Sequence, residues 1–363
     1  MRRWDHEQLF YSGDHFFSSL IHAIANAQRS VDLEMYIFRS DALGDKILET
    51  LAAAAKRGVR VRLMIDGMGS SQWRPATLRL LQDKGIEAKI YHRVYFLSPL
   101  RNLNRRNHRK VCVVDEKTAF VGGMNVDAVY LKTQEGDQAW RDTSVLVKGH
   151  DIQFLKSAFE KAWFPKIRAA RDLRLNEVGG AYLPSSLIRL NDSWRRRRGN
   201  YLDLIDRIVG ARHHVWITSP YFVPARSLLR ALRFSSQSGV DVRLLVPARN
   251  DIFFMRWVNG GFYSTLLKMG VKIYEYLPST LHSKTVIIDN WATVGSSNLN
   301  HRSLIHDLEV DVTLTDPSSM RSLHDHFLDD VKKSAQIEGK TWGRRSLMLH
   351  VLEWLLLKLK YWL

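Results

Sequence analysis

Two rhythms of apolar residues alternate along this chain. One is helical: between residues 13 and 28, Phe17, Leu20, Ile21 and Ile24 recur at a spacing that places them on one face of a helix. The other is the short β-branched or aromatic run, seen at 30–38, 59–65, 86–91 and 144–147, which reads as strand. Between these runs the spacing predicts helices over 43–57 and 77–84, closed by Gly58 and Gly85. Residues 1–12 read as an entry strand or loop. The same order then returns. Helices are predicted over 201–209, 226–238 and 262–269, the last two closed by Gly239 and Gly270. Strands are predicted over 215–218, 240–246, 271–276 and 308–314.

The repetition extends to local detail. Lys56-Arg-Gly-Val-Arg-Val-Arg-Leu63 answers Ser238-Gly-Val-Asp-Val-Arg-Leu-Leu245, and Lys84-Gly-Ile-Glu-Ala-Lys-Ile-Tyr91 answers Lys268-Met-Gly-Val-Lys-Ile-Tyr274. A whole domain has been duplicated, and alternating helices and strands make each copy an α/β sandwich. The expected organisation is a first half over 1–150, a connection over 151–200, a second half over 201–330 and a tail over 331–363. The connection holds one helix (151–163), then a loop with Gly179-Gly180, Pro184 and the run Arg195–Arg198.

Composition narrows the partners. The chain has 363 residues, 45% of them hydrophobic, enough for two ordinary domains with proper cores. Its 54 Lys and Arg against 37 Asp and Glu give a formal charge of +17, which favours a polyanion: nucleic acid or an anionic membrane. Cys112, the single cysteine, excludes an intrachain disulfide and reads as a buried structural thiol. No long apolar run follows Met1, so neither a signal peptide nor an N-terminal membrane span is expected.

Candidate chemistry lies in a stretch that occurs twice. His108-Arg-Lys110 is followed by Asp115, then by Gly122-Gly-Met-Asn125. His282-Ser-Lys284 is followed by Asp289, then by Gly295-Ser-Ser-Asn298. The candidate catalytic set is therefore His108, Lys110, Asp115, His282, Lys284 and Asp289. In an extended segment, side chains two apart share a face, so each His and Lys project together. Each Asp has the opposite parity and is expected to organise a hairpin turn. Asn125 and Asn298 supply amide donors for a phosphate, and the adjacent glycines are expected to let a ligand approach the backbone. Two such sets facing each other would hold a phosphodiester between two imidazoles. One imidazole attacks phosphorus and the other handles protons. Each needs an acceptor for its other ring nitrogen. Asp142 is expected to serve His108 and Glu309 to serve His282, since each acid lies downstream in the same half. Tyr36 and Tyr221, at matching strand ends, are candidates to line the pocket. One cysteine and no paired histidines at helical spacing leave little to ligate a metal, and no cofactor is expected.

These residues resemble the phospholipase D superfamily, whose signature is the duplicated H-x-K-x-x-x-x-D motif. Within it the chain looks most like the bacterial cardiolipin synthases, on the strength of Leu33-Glu-Met-Tyr-Ile-Phe38, Trp140-Arg-Asp142, Ser219-Pro-Tyr-Phe-Val-Pro224 and Gly295–Ser303. The shorter type, without N-terminal membrane helices, fits better than the longer one. The resemblance implies a duplicated phospholipase D-like α/β/α sandwich with one active site between pseudo-twofold-related halves. It also implies ping-pong phosphatidyl transfer, with His108 as nucleophile, His282 as general acid and base, and phosphatidylglycerol plus a second phospholipid as substrates. The alternatives within the superfamily are hydrolysis of phospholipids and cleavage of nucleic acid.

The aromatic, apolar end of the chain argues against nucleic acid. From Leu347 to Leu363 there are seventeen positions, interrupted by Glu353, Lys358 and Lys360, fewer than the roughly 20 that span a bilayer. A helix lying in the membrane interface is expected, with Trp354 and Trp362 at headgroup level and Lys358 and Lys360 beside them. That makes the protein a peripheral one on the cytoplasmic face of the bacterial inner membrane. Arg101, Arg105, Arg106 and Arg109 lead into His108 and are expected to steer anionic headgroups. The Arg195–Arg198 run is expected to hold anionic lipid at the surface. Oligomeric state is not legible.

Overall fold

The computed structural model describes residues 2–94, 105–164, 186–342 and residue 353. Fifteen strands among these form two mixed sheets. The first runs β1 (His6–Phe10), β7 (Ser144–Lys148), β6 (Thr118–Gly122), β5 (Val111–Val114), β2 (Ser30–Met35), β3 (Arg60–Asp66), β4 (Ile86–Tyr91). The second runs β8 (Ile188–Leu190), β14 (Val310–Thr313), β13 (Trp291–Gly295), β12 (Thr285–Ile288), β9 (His214–Thr218), β10 (Asp241–Pro247), β11 (Lys272–Tyr276), and then β15 (Ser334–Ile337) at the edge. The first seven places correspond one to one, each strand number rising by seven. In both sheets three parallel strands join a run of antiparallel ones.

Helices cover the outer faces, and the two sheets meet through their inner ones. The outer core of the first half gathers Phe17, Leu20, Ile24, Ile47 and Leu51 against Val31, Leu33 and Leu63. Its counterpart gathers Ile208, Leu228 and Leu232 against Val215, Ile217 and Leu244. Between the sheets, Val111, Val113, Val121, Val145 and Val147 pack with Trp216, Leu245, Ile287, Val294, Val310 and Val312. Strand residues of alternating parity thus feed two different cores, which explains why the strands read as almost unbroken apolar runs. Cys112 is buried in the first of these cores, and burial pushes its thiol pKa up.

Most predicted elements stand within two residues of the expected place. Gly58 and Gly239 end their helices with φ of +88° and +86°, the left-handed conformation that glycine adopts without steric cost. Four differences have physical causes. The Arg195–Arg198 run opens a helix, Trp194–Val209, because Ser193 caps it by accepting the Arg196 N–H. Helix Met255–Lys268 starts earlier than its pattern suggests, running through Gly260, where an added Cβ would stand 2.8 Å from Glu353 Oε1 and 3.2 Å from Trp342. Helix Pro317–Lys332, capped by Asp316, was not expected, although Asp-Pro at its start and Leu323 and Phe327 on one face signal it. Finally, the second sheet takes β8 from the supposed connection and β15 from the supposed tail, so the boundaries at 201 and 330 are too narrow.

Candidate active site

Each half brings its motif to the start of a strand: His108 and Lys110 just before β5, His282 and Lys284 just before β12. In each, the lysine turns back so that its ammonium donates to the carbonyl of its own histidine, Lys110 to His108 O at 2.7 Å and Lys284 to His282 O. Lys284 also lies 3.0 Å from His282 Nε2. Both histidines line one cleft of about 590 Å³, together with Tyr36, Asn125, Tyr221 and Asn298. The Tyr36 ring stands edge-on to His108 at 4.7 Å, and the Tyr221 ring edge-on to His282 at 6.2 Å.

The acids are exchanged between halves. His108 Nδ1 lies 3.0 Å from each carboxylate oxygen of Glu309, and His282 Nδ1 lies 2.8 Å from Asp142 Oδ2. The expected pairing of Asp142 with His108 and Glu309 with His282 is therefore overturned. The cause is sheet geometry. Each acid immediately precedes β7 or β14, two strands away from the motif strand of its own sheet, or roughly 9–10 Å. Across the interface the loops touch directly. His108 N donates to Leu308 O at 3.0 Å and Leu308 N to Arg106 O at 2.8 Å; His282 N donates to Arg141 O at 2.7 Å and Arg141 N to Thr280 O at 2.9 Å. These two bridges lay the acid of one half beside the histidine of the other.

Each carboxylate is itself held. Glu309 accepts from Ser296 Oγ at 2.5 Å and Ser303 Oγ at 2.7 Å, and its backbone N–H donates to Asn191 at 2.6 Å. Asp142 accepts the Thr143 N–H at 2.7 Å. A Cβ at Gly123 would lie 2.3 Å from the Asp142 carboxylate. That glycine makes room for the acid rather than for a ligand, which corrects the sequence expectation.

The motif aspartates lie outside the cleft. The Asp115 carboxylate accepts from the backbone N–H groups of Gln28, Arg29 and Ser30, and Asp289 from those of Arg212, His213 and His214. Both sit at positive φ, 52° and 49°, in the turns that follow β5 and β12. Their place in the catalytic set is thus structural, as parity suggested. Burial pulls their pKa values up, but the backbone donors outweigh it and leave both low.

Burial dominates the electrostatics of the cleft. His108 is pushed well below 6.5, by burial first and then by Lys110 and Lys284. His282 is lowered too, by burial and Lys284, with Asp142 opposing. Lys110 falls to about 7 and Lys284 to about 8, both through desolvation, while Glu309 rises to about 7 for the same reason. Asn125 Oδ1 accepts the Ile37 N–H at 3.1 Å while its side chain also hydrogen-bonds Tyr130; Asn298 Oδ1 is buried without a partner. Two imidazoles and two amides thus line one cleft, with each lysine ammonium held on the carbonyl of its own histidine, a donor set suited in charge and geometry to an anion such as a phosphodiester.

A family model described as "Cardiolipin synthase, PLD-like domain" matches residues 20–163 and 204–331, the two halves just described. The chain belongs to this family. Among its cardiolipin synthase relatives, "Cardiolipin synthase 2" of Bacillus cereus is 33% identical over 94% of this chain and 68% of its own length. "Cardiolipin synthase" of Clostridium perfringens is 30% identical over 94% of this chain and 74% of its own. The fold also matches a crystal structure of phosphatidylserine synthase from Haemophilus influenzae, with a TM-score of 0.73 at 16% identity over 98% of this chain and 93% of that one.

Other residues of this cardiolipin synthase-family site were not legible beforehand. Tyr130 places its hydroxyl 3.2 Å from His282 Nδ1, and Trp140 packs 5.6 Å from the same ring. Asp251 accepts the Tyr221 hydroxyl at 2.6 Å. Two arginines of the basic approach to His108 are structural rather than steering: Arg106 is fully buried against Asp66 at 2.7 Å, and Arg109 is buried against Glu34 at 3.1 Å. Arg101 lies outside the described residues, as do Trp354, Lys358, Lys360 and Trp362 of the tail. Arg197 is likewise structural, donating to Asn191 O and His306 O. No helix among the described residues is long and apolar enough to cross a membrane.

Proposed function

We propose that this protein is a cardiolipin synthase that moves a phosphatidyl group through a covalent phosphohistidine. The carrying observation is that both imidazoles face one cleft, each held at Nδ1 by a carboxylate from the opposite half. Fixing Nδ1–H toward an acid leaves Nε2 with its lone pair for chemistry. In the first step His108 Nε2 attacks the phosphorus of the donor lipid. The phosphorus–oxygen bond to the departing headgroup breaks as His282 protonates that oxygen. In the second, His282 takes the proton of a phosphatidylglycerol hydroxyl, whose oxygen attacks phosphorus and releases His108. Cardiolipin leaves, and both histidines regain their starting protonation.

Lys110, Lys284, Asn125 and Asn298 would neutralise and orient the non-bridging oxygens, whose charge grows as phosphorus becomes five-coordinate. Lysines with pKa values near 7 and 8 are pushed back toward the charged form by an arriving phosphate anion. The same anion favours a protonated His282, as a general acid requires. The setting is a phospholipid membrane, with the protein peripheral on the cytoplasmic face of the inner membrane.

The test incubates the purified protein with phosphatidylglycerol vesicles and reads the lipids by mass spectrometry. Cardiolipin should form, and His108→Ala and His282→Ala should each abolish it. Cardiolipin formation surviving both substitutions would sink the mechanism, and phosphatidic acid as the main product would make the enzyme a hydrolase.

A further inference from the structure

The cleft opens beside an apolar turn that the chemistry does not use. After β10 the chain folds sharply over residues 250–254. Asn250 Oδ1 accepts the Ile252 N–H at 3.1 Å, its Nδ2 donates to Pro220 O at 3.0 Å, and Asp251 takes the Tyr221 hydroxyl. These bonds tie the turn to the loop carrying Tyr221. Ile252 lines the cleft, and Phe253 beside it points away from the protein, 76% exposed, more than any other large apolar side chain among the described residues. Phe254 and Trp257, both half-buried, stand beside it, with ring centroids 5.4 and 6.0 Å from that of Phe253. Arg249 is exposed at one end of the turn and the Arg256 side chain is 58% exposed at the other. From the first half, Met68 adds a further exposed apolar side chain to the cleft lining.

Exposed aromatics held out on a hydrogen-bonded turn lose free energy to water unless something covers them. What covers them follows from the cleft, and to that extent the inference rests on the lipid-transfer reading. A phosphatidyl headgroup must reach the histidines while its acyl chains stay in hydrocarbon, so the mouth must meet the bilayer. Aromatic side chains favour the headgroup region, and flanking arginines favour a negatively charged one. We propose that the rim formed by Ile252, Phe253 and Trp257, with Arg249 and Arg256, docks the mouth of the cleft onto an anionic phospholipid surface.

The test compares the full chain with its Phe253→Ser variant. Binding is measured on phosphatidylglycerol vesicles and on phosphatidylcholine vesicles. Turnover is measured on phosphatidylglycerol vesicles and on a short-chain phosphatidylglycerol dispersed below its micelle threshold. Phe253→Ser should bind anionic vesicles about tenfold or more weakly, the effect of leaving one aromatic unburied. Vesicle turnover should fall in parallel while turnover of the dispersed lipid holds. Both proteins should bind phosphatidylcholine weakly. Unchanged vesicle binding overturns the proposal, as does an equal loss of turnover on both substrates. Sedimentation showing that the substitution dissociates a dimer would assign the patch to a second copy instead. If the unaltered protein turns over neither lipid, the catalytic reading fails, and vesicle binding still decides the rim.

Discussion

Glu309 holds a histidine 201 positions earlier in the chain, and that single contact ties the cleft residues of the two halves together. Its carboxylate fixes the His108 tautomer, so Glu309→Gln, which keeps the shape and loses the charge, should lower kcat by about 10²- to 10⁴-fold, as removal of such an orienting charge does elsewhere. Circular dichroism and melting temperature should stay close to those of the unaltered protein. The pH profile carries a sign. In the proposed mechanism the nucleophile, His108, must be the free base, and burial with Lys110 and Lys284 nearby holds it well below 6.5. The acid limb of kcat/KM should therefore lie below pH 6.5, and a limb above that value would contradict the environment described. At this scale the residue types were legible and the acid partners were not. Nothing in linear spacing says that a backbone bridge between halves places Leu308 against His108.

The elements explain why the motif carries an aspartate that touches no substrate. Asp115 and Asp289 gather three backbone N–H groups each and lock the turns after β5 and β12 onto β2 and β9. Hydrogen bonds to a charged group are worth about 1.5–3 kcal/mol, so Asp115→Ala or Asp289→Ala should cost about 2 kcal/mol of stability in urea denaturation. Turnover per folded molecule should remain within a few-fold. A collapse of kcat with stability intact would return these residues to the catalytic set. Because their pKa values are lowered, the stabilisation is present above pH 3.8 and is lost as pH falls through the folded-state values below it. Helix and strand positions were readable because period and capping residues are local properties. Helix 194–209 was misjudged at its start because four arginines in a row look like a solvated loop. Ser193 nevertheless caps it, and Arg197 finds backbone carbonyl acceptors across the fold.

At the scale of the molecule, the apolar layer between the sheets and the exchange of acids join the two halves around one shared cleft. Neither half should work alone, although each retains an intact His-Lys pair. Separately expressed pieces covering 1–164 and 186–363 should be inactive singly and should copurify and regain transfer when coexpressed, since the interface buries a continuous set of valines, leucines and isoleucines. Activity in either isolated piece would show that the exchanged acids are dispensable. Glu353, the one described residue beyond 342, is buried against helix 255–268, beside Gly260 and Trp342. The most exposed large apolar side chain among the described residues, Phe253, lies instead beside the cleft mouth, next to Ile252.

The sequence alone determined the duplication, the α/β architecture, the paired His and Lys, and the turn role of the aspartates. Each of these is set by local periodicity, side-chain parity or repetition, which survive in one dimension. Only the tertiary structure decided which acid holds which histidine, why Gly123 must be small, that Arg106 and Arg109 are structural, and that Phe253 stands exposed beside the mouth. Those depend on two sheets stacked face to face, bringing together residues far apart in the chain and burying charges that composition would assign to the surface.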